Sequence, residues 1–201
     1  MTAGLIEWGV ASMTMPGEVE SGDLHVVAPF PDGVLVAVID GLGHGGEAAA
    51  AARVAAVTLQ EHAHEPVISL VRRCDQRLRA TRGAVVSLAS FHSLDNTVTW
   101  LAVGNVEGFL IRSSAGRHEK EAILQRGGVV GYSLPPLRAD VIEVGPGDTL
   151  VLATDGIRSG FAEGLSPVAS PQHLADHVLG QFSKGADDAL VLVARYKGVA
   201  P

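Results

Sequence analysis

The chain has 201 residues, of which 47% are hydrophobic and 18% charged, and this composition predicts one folded domain over residues 1–201. The net charge is −7 and Arg53 is the first basic residue, so a nucleic-acid-binding surface is disfavoured. No apolar run approaches the ~18 residues of a membrane span, and the N-terminus lacks the basic start of a secretory signal. The single cysteine, Cys74, cannot form an internal disulfide, so we expect a reducing, cytoplasmic compartment.

The N-terminal third predicts strands and then helices. The apolar run VLVAVI shows little alternation, which predicts a strand buried on both faces. A glycine-rich loop and an alanine-rich segment follow it, and the latter favours a helix with an acidic first turn. The predicted elements are strands at residues 6–15, 24–28 and 34–39 and helices at 47–61 and 66–79.

The remaining residues predict short strands separated by Asp, Asn, Gly and Pro turns. Strands and helices do not alternate regularly, which argues against a doubly wound parallel sheet. Stacked antiparallel sheets with helices outside, an α+β fold, agree better with the pattern. The predicted strands are residues 84–91, 97–103, 108–112, 121–124, 141–144, 150–154 and 189–196, with one helix at 171–181.

Acidic residues stand at the ends of four predicted strands. Asp40 and Asp155 each follow an apolar strand and precede a glycine, Asp187 and Asp188 precede the last strand, and Asp23 opens another. A lone Asp at a strand end is usually a turn residue, but two Asp-Gly pairs and an Asp-Asp pair form a pattern. Converging carboxylates suit hard cations, so the pattern indicates a Mg²⁺ or Mn²⁺ site.

The loop at residues 41–46 offers an alternative, because it matches the G-x-G-x-x-G pattern of dinucleotide-binding proteins between a strand and a helix. Two observations count against this interpretation. No second strand ends in an acid about 20 residues later, as that motif requires. Asp40 also places a negative charge where the pyrophosphate binds.

Four strings occur in an order that resembles a known family: SGD at 21–23, VIDGLGHG at 38–45, GPGDTLVLATDGI at 145–157 and GADDALVLVARY at 185–196. They resemble the metal-dependent Ser/Thr protein phosphatases of type 2C (PPM), in their bacterial SpoIIE/RsbU-like branch. Within it, the short length and DGLGHG are most similar to stressosome phosphatases. The resemblance implies an αββα sandwich, in which helices flank two antiparallel sheets and two metal ions bind at one end.

The family's site residues can be placed on this sequence. By resemblance, Asp40 bridges both ions and Gly41 donates its backbone carbonyl to one of them. Asp23, Asp155 and Asp187 complete the coordination of the second ion, directly or through water. The resemblance also makes Asp40 and Asp155 the catalytic residues, because they hold the metal that activates the attacking water.

Several positions depart from the family pattern. Leu42 stands where another branch has a histidine after Asp-Gly, so His44 is a possible proton donor or a loop-stabilising residue. The family's N-terminal phosphate-binding arginine has no counterpart before Arg53. Asp188, beside the assigned Asp187, is expected to hold a neighbouring loop. Leu190 replaces a frequent threonine.

The resemblance implies a Mn²⁺- or Mg²⁺-dependent phosphoserine/phosphothreonine protein phosphatase that resets a bacterial stress signal. Its implied partners are phosphorylated STAS-domain proteins of the stressosome. A second hypothesis is a non-catalytic module that binds phosphoproteins through a decayed site. Candidate docking contacts are the later basic residues Arg72, Arg73, Arg77, Arg79, Arg112, Arg117 and Arg126.

Overall fold

The computed structural model describes residues 4–113, 119–122, 125–163, 165 and 168–198. Every predicted strand and helix has a counterpart in these ranges, with ends shifted by a few residues. The last two residues of the predicted strand 121–124 lie outside the described residues. The elements are β1 (Ile6–Met13), β2 (Asp23–Phe30), β3 (Gly33–Gly41), α1 (Gly45–Glu61), α2 (Val67–Leu78), β4 (Ala84–His92), β5 (Thr97–Val103), β6 (Glu107–Ile111), β7 (Lys120–Ala122), β8 (Asp140–Glu143), β9 (Thr149–Ala153), α3 (Pro171–Phe182) and β10 (Ala189–Tyr196).

The strands form two five-stranded sheets. The first sheet has the order β1-β10-β9-β6-β7, and the second has the order β2-β3-β4-β5-β8. Each of these neighbouring pairs is antiparallel. The antiparallel pairing of β3 with β2 and β4 differs from the parallel βαβ unit that a dinucleotide site requires.

Three buried clusters show that the sheets and helices form four layers. One cluster joins α1 and α2 to the second sheet, and another joins α3 to the first sheet. The third fills the space between the two sheets and includes Trp100, Phe91 and Tyr196. The expected αββα sandwich is therefore confirmed. None of the helices in the described ranges is long and apolar enough to cross a membrane.

Small residues let the outer helices approach the sheets closely. Ala51, Ala52 and Ala55 on α1 are fully buried against the second sheet. On the other side, a Cβ built at Gly9 of β1 would lie 2.3 Å from the Cα of Gln172 in α3, so only glycine fits there. β3, at the centre of this packing, is buried along almost its whole length, as its apolar sequence predicts.

Candidate metal centre

Four strand ends bring acidic residues to one edge of the sandwich. Asp23 opens β2 and is the register partner of Asp40 near the end of β3. In the other sheet, β9 and β10 are antiparallel neighbours. The residues that follow β9 therefore lie close to the residues that precede β10. Asp155 follows β9, and Asp187 and Asp188 precede β10. All five acids line one cavity of about 640 Å³.

The glycine of each Asp-Gly pair lies where two backbones meet. A Cβ at Gly41 would be 2.1 Å from the carbonyl oxygen of Ala48 in α1. A Cβ at Gly156 would be 1.9 Å from the carbonyl oxygen of Asp188. The missing side chains therefore allow α1 to approach β3 and the chain before β10 to approach Asp155. Gly41 lies at this edge, but it is not among the described residues that line the cavity.

The carboxyl group of Asp40 is partly buried and shares its cavity with four other acids. Burial is the larger cause, and the carboxylates of Asp23 and Asp155 add to it; together with the two acids before β10 they raise the pKa of Asp40 from 3.8 to about 8. Neither a hydrogen bond nor a basic side chain among the described residues offsets these effects. Asp40 thus presents an uncompensated buried carboxyl group, which a bound cation would stabilise.

Asp23 is also buried, but a cross-sheet hydrogen bond orients it. The hydroxyl of Thr154 donates to Asp23 Oδ2 at 2.7 Å and accepts the N–H of Leu190 at 2.8 Å. Burial, opposed by the Thr154 hydrogen bond and supported by nearby carboxylates, raises the pKa of Asp23 to about 7. Thr154 was not among the predicted site residues, although it directly precedes Asp155 in the motif.

Asp155 has a partner from a different loop. The side-chain amide of Asn105 donates to Asp155 Oδ2 at 2.9 Å, and Asn105 lines the cavity. This contact holds Oδ2, and none of the described residues forms a hydrogen bond to Oδ1. Asn105 was not among the predicted site residues, although it lies in a Gly-Asn turn after β5 and in the string GNVEG at 104–108, a weaker part of the family resemblance.

The adjacent acids Asp187 and Asp188 have different environments. Asp188 is buried, and its two carboxylate oxygens accept the N–H groups of Met15 at 2.8 Å and Gly22 at 2.7 Å. It therefore holds the loop between β1 and β2, as expected. Asp187 is exposed at the cavity, with Oδ1 accepting the N–H of Asp188 at 2.9 Å. Asp187 is thus the freer of the two to bind an ion.

His44 lines the cavity at the start of α1 and contacts a second acid. Its Nδ1 lies 2.6 Å from Oε1 of Glu18, in the loop between β1 and β2. The side chain of His44 is 57% exposed, so it can reach solvent from this position. The contact supports a role in holding the loop, and exposure at the cavity keeps the proton-donor role open.

The basic residues named as docking candidates do not line the cavity that contains the acids, as far as the structure describes them. Arg112 is partly buried, and its guanidinium donates to Asp148 Oδ2 at 2.9 Å and to Glu121 Oε1 at 2.8 Å. These contacts give it a structural role and leave it less free than the other candidates to meet a partner. Arg117 lies outside the described residues.

The donor set fits a hard divalent cation in its chemistry, because Asp23, Asp40, Asp155 and Asp187 supply only oxygen. Within the described part of the chain, no three acidic, histidine or cysteine side chains already surround a single point closely enough to hold an ion. Two of these carboxylates are already engaged in hydrogen bonds, Asp23 with Thr154 and Asp155 with Asn105.

The sequence was compared with protein families and with known proteins, and both comparisons found relatives. The family model of stage II sporulation protein E (SpoIIE) matches residues 31–197. The chain is also similar to the phosphoserine phosphatase RsbX of Bacillus subtilis, with 26% identity over 162 residues that cover 78% of this chain and 80% of RsbX.

Solved structures share the fold over almost the whole chain. A chain from a structural study of the bacterial stressosome has a TM-score of 0.85 and 26% identity, covering 94% of this chain and 99% of that one. RsbX in complex with magnesium has a TM-score of 0.85 at 22% identity, covering 96% of both chains. The catalytic domain of the serine/threonine phosphatase PstP with two manganese ions has a TM-score of 0.73 at 16% identity, covering 96% and 98%. The chain therefore belongs to the SpoIIE family and has the fold of the type 2C phosphatases.

Proposed function

We propose that this chain is a Mn²⁺- or Mg²⁺-dependent phosphoserine/phosphothreonine protein phosphatase contained in one domain. The observation that carries the proposal is the partly buried Asp40 carboxyl, which shares one cavity with four other acids and has no cationic partner among the described residues. Membership of the SpoIIE family and the similarity to phosphoserine phosphatase RsbX support the same conclusion.

The proposed ligand assignment is the one that the family resemblance implies, and the shared cavity of its four aspartates supports it. Asp40 would contact both ions, with the carbonyl of Gly41 beside it, while Asp23, Asp155 and Asp187 would hold the second ion. The ions, when bound, neutralise phosphate charge and activate water for attack on phosphorus. Thr154 fixes the orientation of Asp23.

The remaining groups position the site. Asn105 orients Asp155, and Asp188 holds the loop that leads into Asp23. His44, exposed at the cavity, would either donate a proton to the leaving group or hold the loop through Glu18. Cys74 takes no part, because it lies in the core beneath α2 and burial raises its pKa to about 12.

The proposed substrates are phosphorylated STAS-domain proteins of the stressosome. The similarity to RsbX and to a chain from a stressosome structure supports this choice. A cytoplasmic location is part of the same proposal, and the free, buried thiol of Cys74 agrees with a reducing compartment. The alternative of a decayed binding module has less support, because each acid expected at the site lines the cavity.

The test is hydrolysis of an aryl phosphate by metal-free protein before and after addition of Mn²⁺ or Mg²⁺. We expect turnover only with the cation, reversible loss on chelation, and no change in Cys74→Ser. Binding of a phosphorylated protein without any turnover would support the decayed module instead. Turnover that persists in excess chelator would contradict the metal mechanism.

A further inference from the structure

The cavity has many anionic groups and, among its described lining residues, no Lys or Arg. A phosphate monoester brings two further negative charges to it. Metal ions would balance part of this charge, but a cation that contacts the outer phosphate oxygens would also select for phosphate. The family's N-terminal arginine cannot serve here, because Arg53 is the first arginine of the chain. The fold places a different arginine beside the cavity loop.

Arg82 lies in the turn between α2 and β4, next to the loop that follows Asp40. The N–H of Leu42 donates to the carbonyl of Gly83 at 3.1 Å, which ties the two segments together. A Cβ built at Gly43 would lie 2.7 Å from Nη1 of Arg82. Because Leu42 and Gly43 line the cavity, the Arg82 guanidinium rests against the cavity loop itself.

Among the described residues, the Arg82 guanidinium forms one ion pair, which is exposed and can therefore open. Arg82 forms an ion pair with Glu47 in the first turn of α1, and the two side chains are 51% and 71% exposed. An ion pair this exposed contributes little to stability, because water screens it. The guanidinium has five N–H donors in one plane, so it can bind two oxygens of a phosphate.

The start of α1 adds positive potential at the same place. His44, its N-cap residue, forms no side-chain hydrogen bond to the helix, so no side chain of its own caps the first turn. The positive end of the helix dipole therefore lies beside the Arg82 guanidinium and the cavity loop. Glu47 is the carboxylate that now occupies this position.

We propose that Arg82 binds the phosphate of the substrate at the mouth of the cavity and exchanges the carboxylate of Glu47 for phosphate oxygens. This inference rests on the proposed phosphatase function and assigns it a substrate-binding residue. It also makes Glu47 a competitor of phosphate. Removing the arginine weakens phosphate binding, whereas removing the charge of Glu47 strengthens it.

The experiment measures kcat and KM for an aryl phosphate at saturating Mn²⁺, together with the inhibition constant of inorganic phosphate. For Arg82→Ala we expect both KM and the inhibition constant to rise roughly tenfold or more, with a much smaller change in kcat. Arg82→Lys, which keeps the charge and loses the planar donors, recovers part of the loss. Thermal unfolding checks that each variant folds, and Arg82→Gln replaces any Arg82→Ala protein that does not.

Two matched variants separate phosphate binding from a general loss of charge. Arg138→Ala removes an exposed arginine that pairs with Asp140, and it should leave both constants unchanged. Glu47→Gln should lower the inhibition constant of phosphate. In the Arg82→Ala background, the same Glu47 change should have no effect, because its effect acts through the arginine.

Each outcome decides the inference. An unchanged inhibition constant in folded Arg82→Ala protein overturns it, and so does an equal rise in Arg138→Ala. A Glu47→Gln effect that persists without Arg82 also overturns it. These results leave the phosphatase function intact, since the wild type still turns over with Mn²⁺. Absence of turnover in the wild type would overturn both proposals.

Discussion

At the scale of the single residue, Asp40 combines a functional position with an unfavourable environment. Its buried carboxyl faces four other acids, and its pKa rises to about 8. For Asp40→Asn we expect turnover to fall by roughly two orders of magnitude or more, because a neutral amide cannot bridge two cations. Near neutral pH the metal-free variant should unfold at a higher temperature than the metal-free wild type, since its amide does not have to take up a proton on folding as the raised pKa of Asp40 requires.

The measurements are aryl phosphate turnover at saturating Mn²⁺ and thermal unfolding in chelator. Their combination matters, because a variant that merely unfolds loses activity and melts earlier. Asp40→Asn protein that keeps more than about a tenth of wild-type turnover would contradict the bridging role.

The pair Asp187 and Asp188 allows a second prediction. Asp187→Ala should raise the Mn²⁺ concentration needed for half-maximal activity, with little effect on stability, because Asp187 is exposed at the cavity. Asp188→Ala should lower stability by about 1–3 kcal/mol, because two backbone N–H groups lose their acceptor. Mn²⁺ titration and denaturant unfolding measure the two effects. A larger Mn²⁺ effect in Asp188→Ala would mean that the assigned ligand is the wrong one of the two.

The acids could be predicted from sequence, whereas their partners could not. Asp23, Asp40 and Asp155 flank apolar strands, so the local pattern identifies them. Thr154 bonds to Asp23 across 131 positions of sequence, and Asn105 bonds to Asp155 across 50. Such pairs depend on how two sheets stack, and a single sequence contains no local signal for it.

At the scale of the element, the contact between β1 and α3 depends on a glycine. Gly9→Ala would place a Cβ 2.3 Å from the Cα of Gln172, whose side chain also bonds to the backbone of Val10. We expect a loss of about 1–3 kcal/mol in the free energy of unfolding, because α3 must move away from the sheet. Turnover of the folded protein should stay unchanged, since the contact is remote from the cavity.

Gly180 provides the matched control for Gly9. It lies in α3, and a Cβ built there has no neighbour within 4 Å. Gly180→Ala should therefore stabilise the protein by up to about 1 kcal/mol through helix propensity. Denaturant unfolding of both variants measures the difference, and a Gly9→Ala protein as stable as Gly180→Ala would show that the helix is not held at this distance.

Individual strands and helices could be predicted from the sequence more readily than the order of the strands in each sheet. The apolar run of β3 predicts a strand buried on both faces, and alanine-rich α1 predicts a helix. Each signal is local, so the sequence carries it directly. The order of strands within each sheet follows from long-range pairing, such as β1 with β10, and the sequence alone supports it only through family resemblance.

At the scale of the whole molecule, the acidic cavity should couple stability to pH. In the metal-free protein, burial and neighbouring acids raise the pKa of Asp23 to about 7 and of Asp40 to about 8, against 3.8 for an ordinary aspartate. Between these values the folded state binds more protons than the unfolded state, so the free energy of unfolding decreases as pH rises. The contribution is complete below about pH 4 and is lost once pH exceeds about 8.

The measurement is denaturant unfolding in chelator at several pH values between about 5 and 8. Asp40→Asn lacks one of the two titrating groups, so its stability should decrease less steeply over this range. Equal slopes for the wild type and the variant would show that Asp40 does not titrate as its surroundings imply. Saturating Mn²⁺ should reduce the slope of the wild type, because bound cations favour the ionised carboxylates.

Exposed apolar side chains near the cavity should contribute to the selection of the substrate. Two apolar side chains lie exposed near the cavity: Tyr132, 86% exposed, in the turn after the cavity-lining glycines, and Val19, 96% exposed, beside Glu18, the partner of His44. A folded partner can cover such residues while its phosphorylated side chain enters the cavity, and a short peptide cannot. Binding energy from remote contacts then raises kcat/KM.

We therefore expect kcat/KM for an intact phosphorylated STAS-domain protein to exceed that for a peptide with the same phosphosite by roughly tenfold or more. Steady-state phosphate release with both substrates measures the ratio, and Tyr132→Ala should lower it mainly through the intact protein. The aryl phosphate, which is too small to reach either apolar side chain, serves as the control and should react equally with wild type and Tyr132→Ala. Equal kcat/KM values for protein and peptide would show that docking contributes nothing and that the partner must be sought among other phosphoproteins.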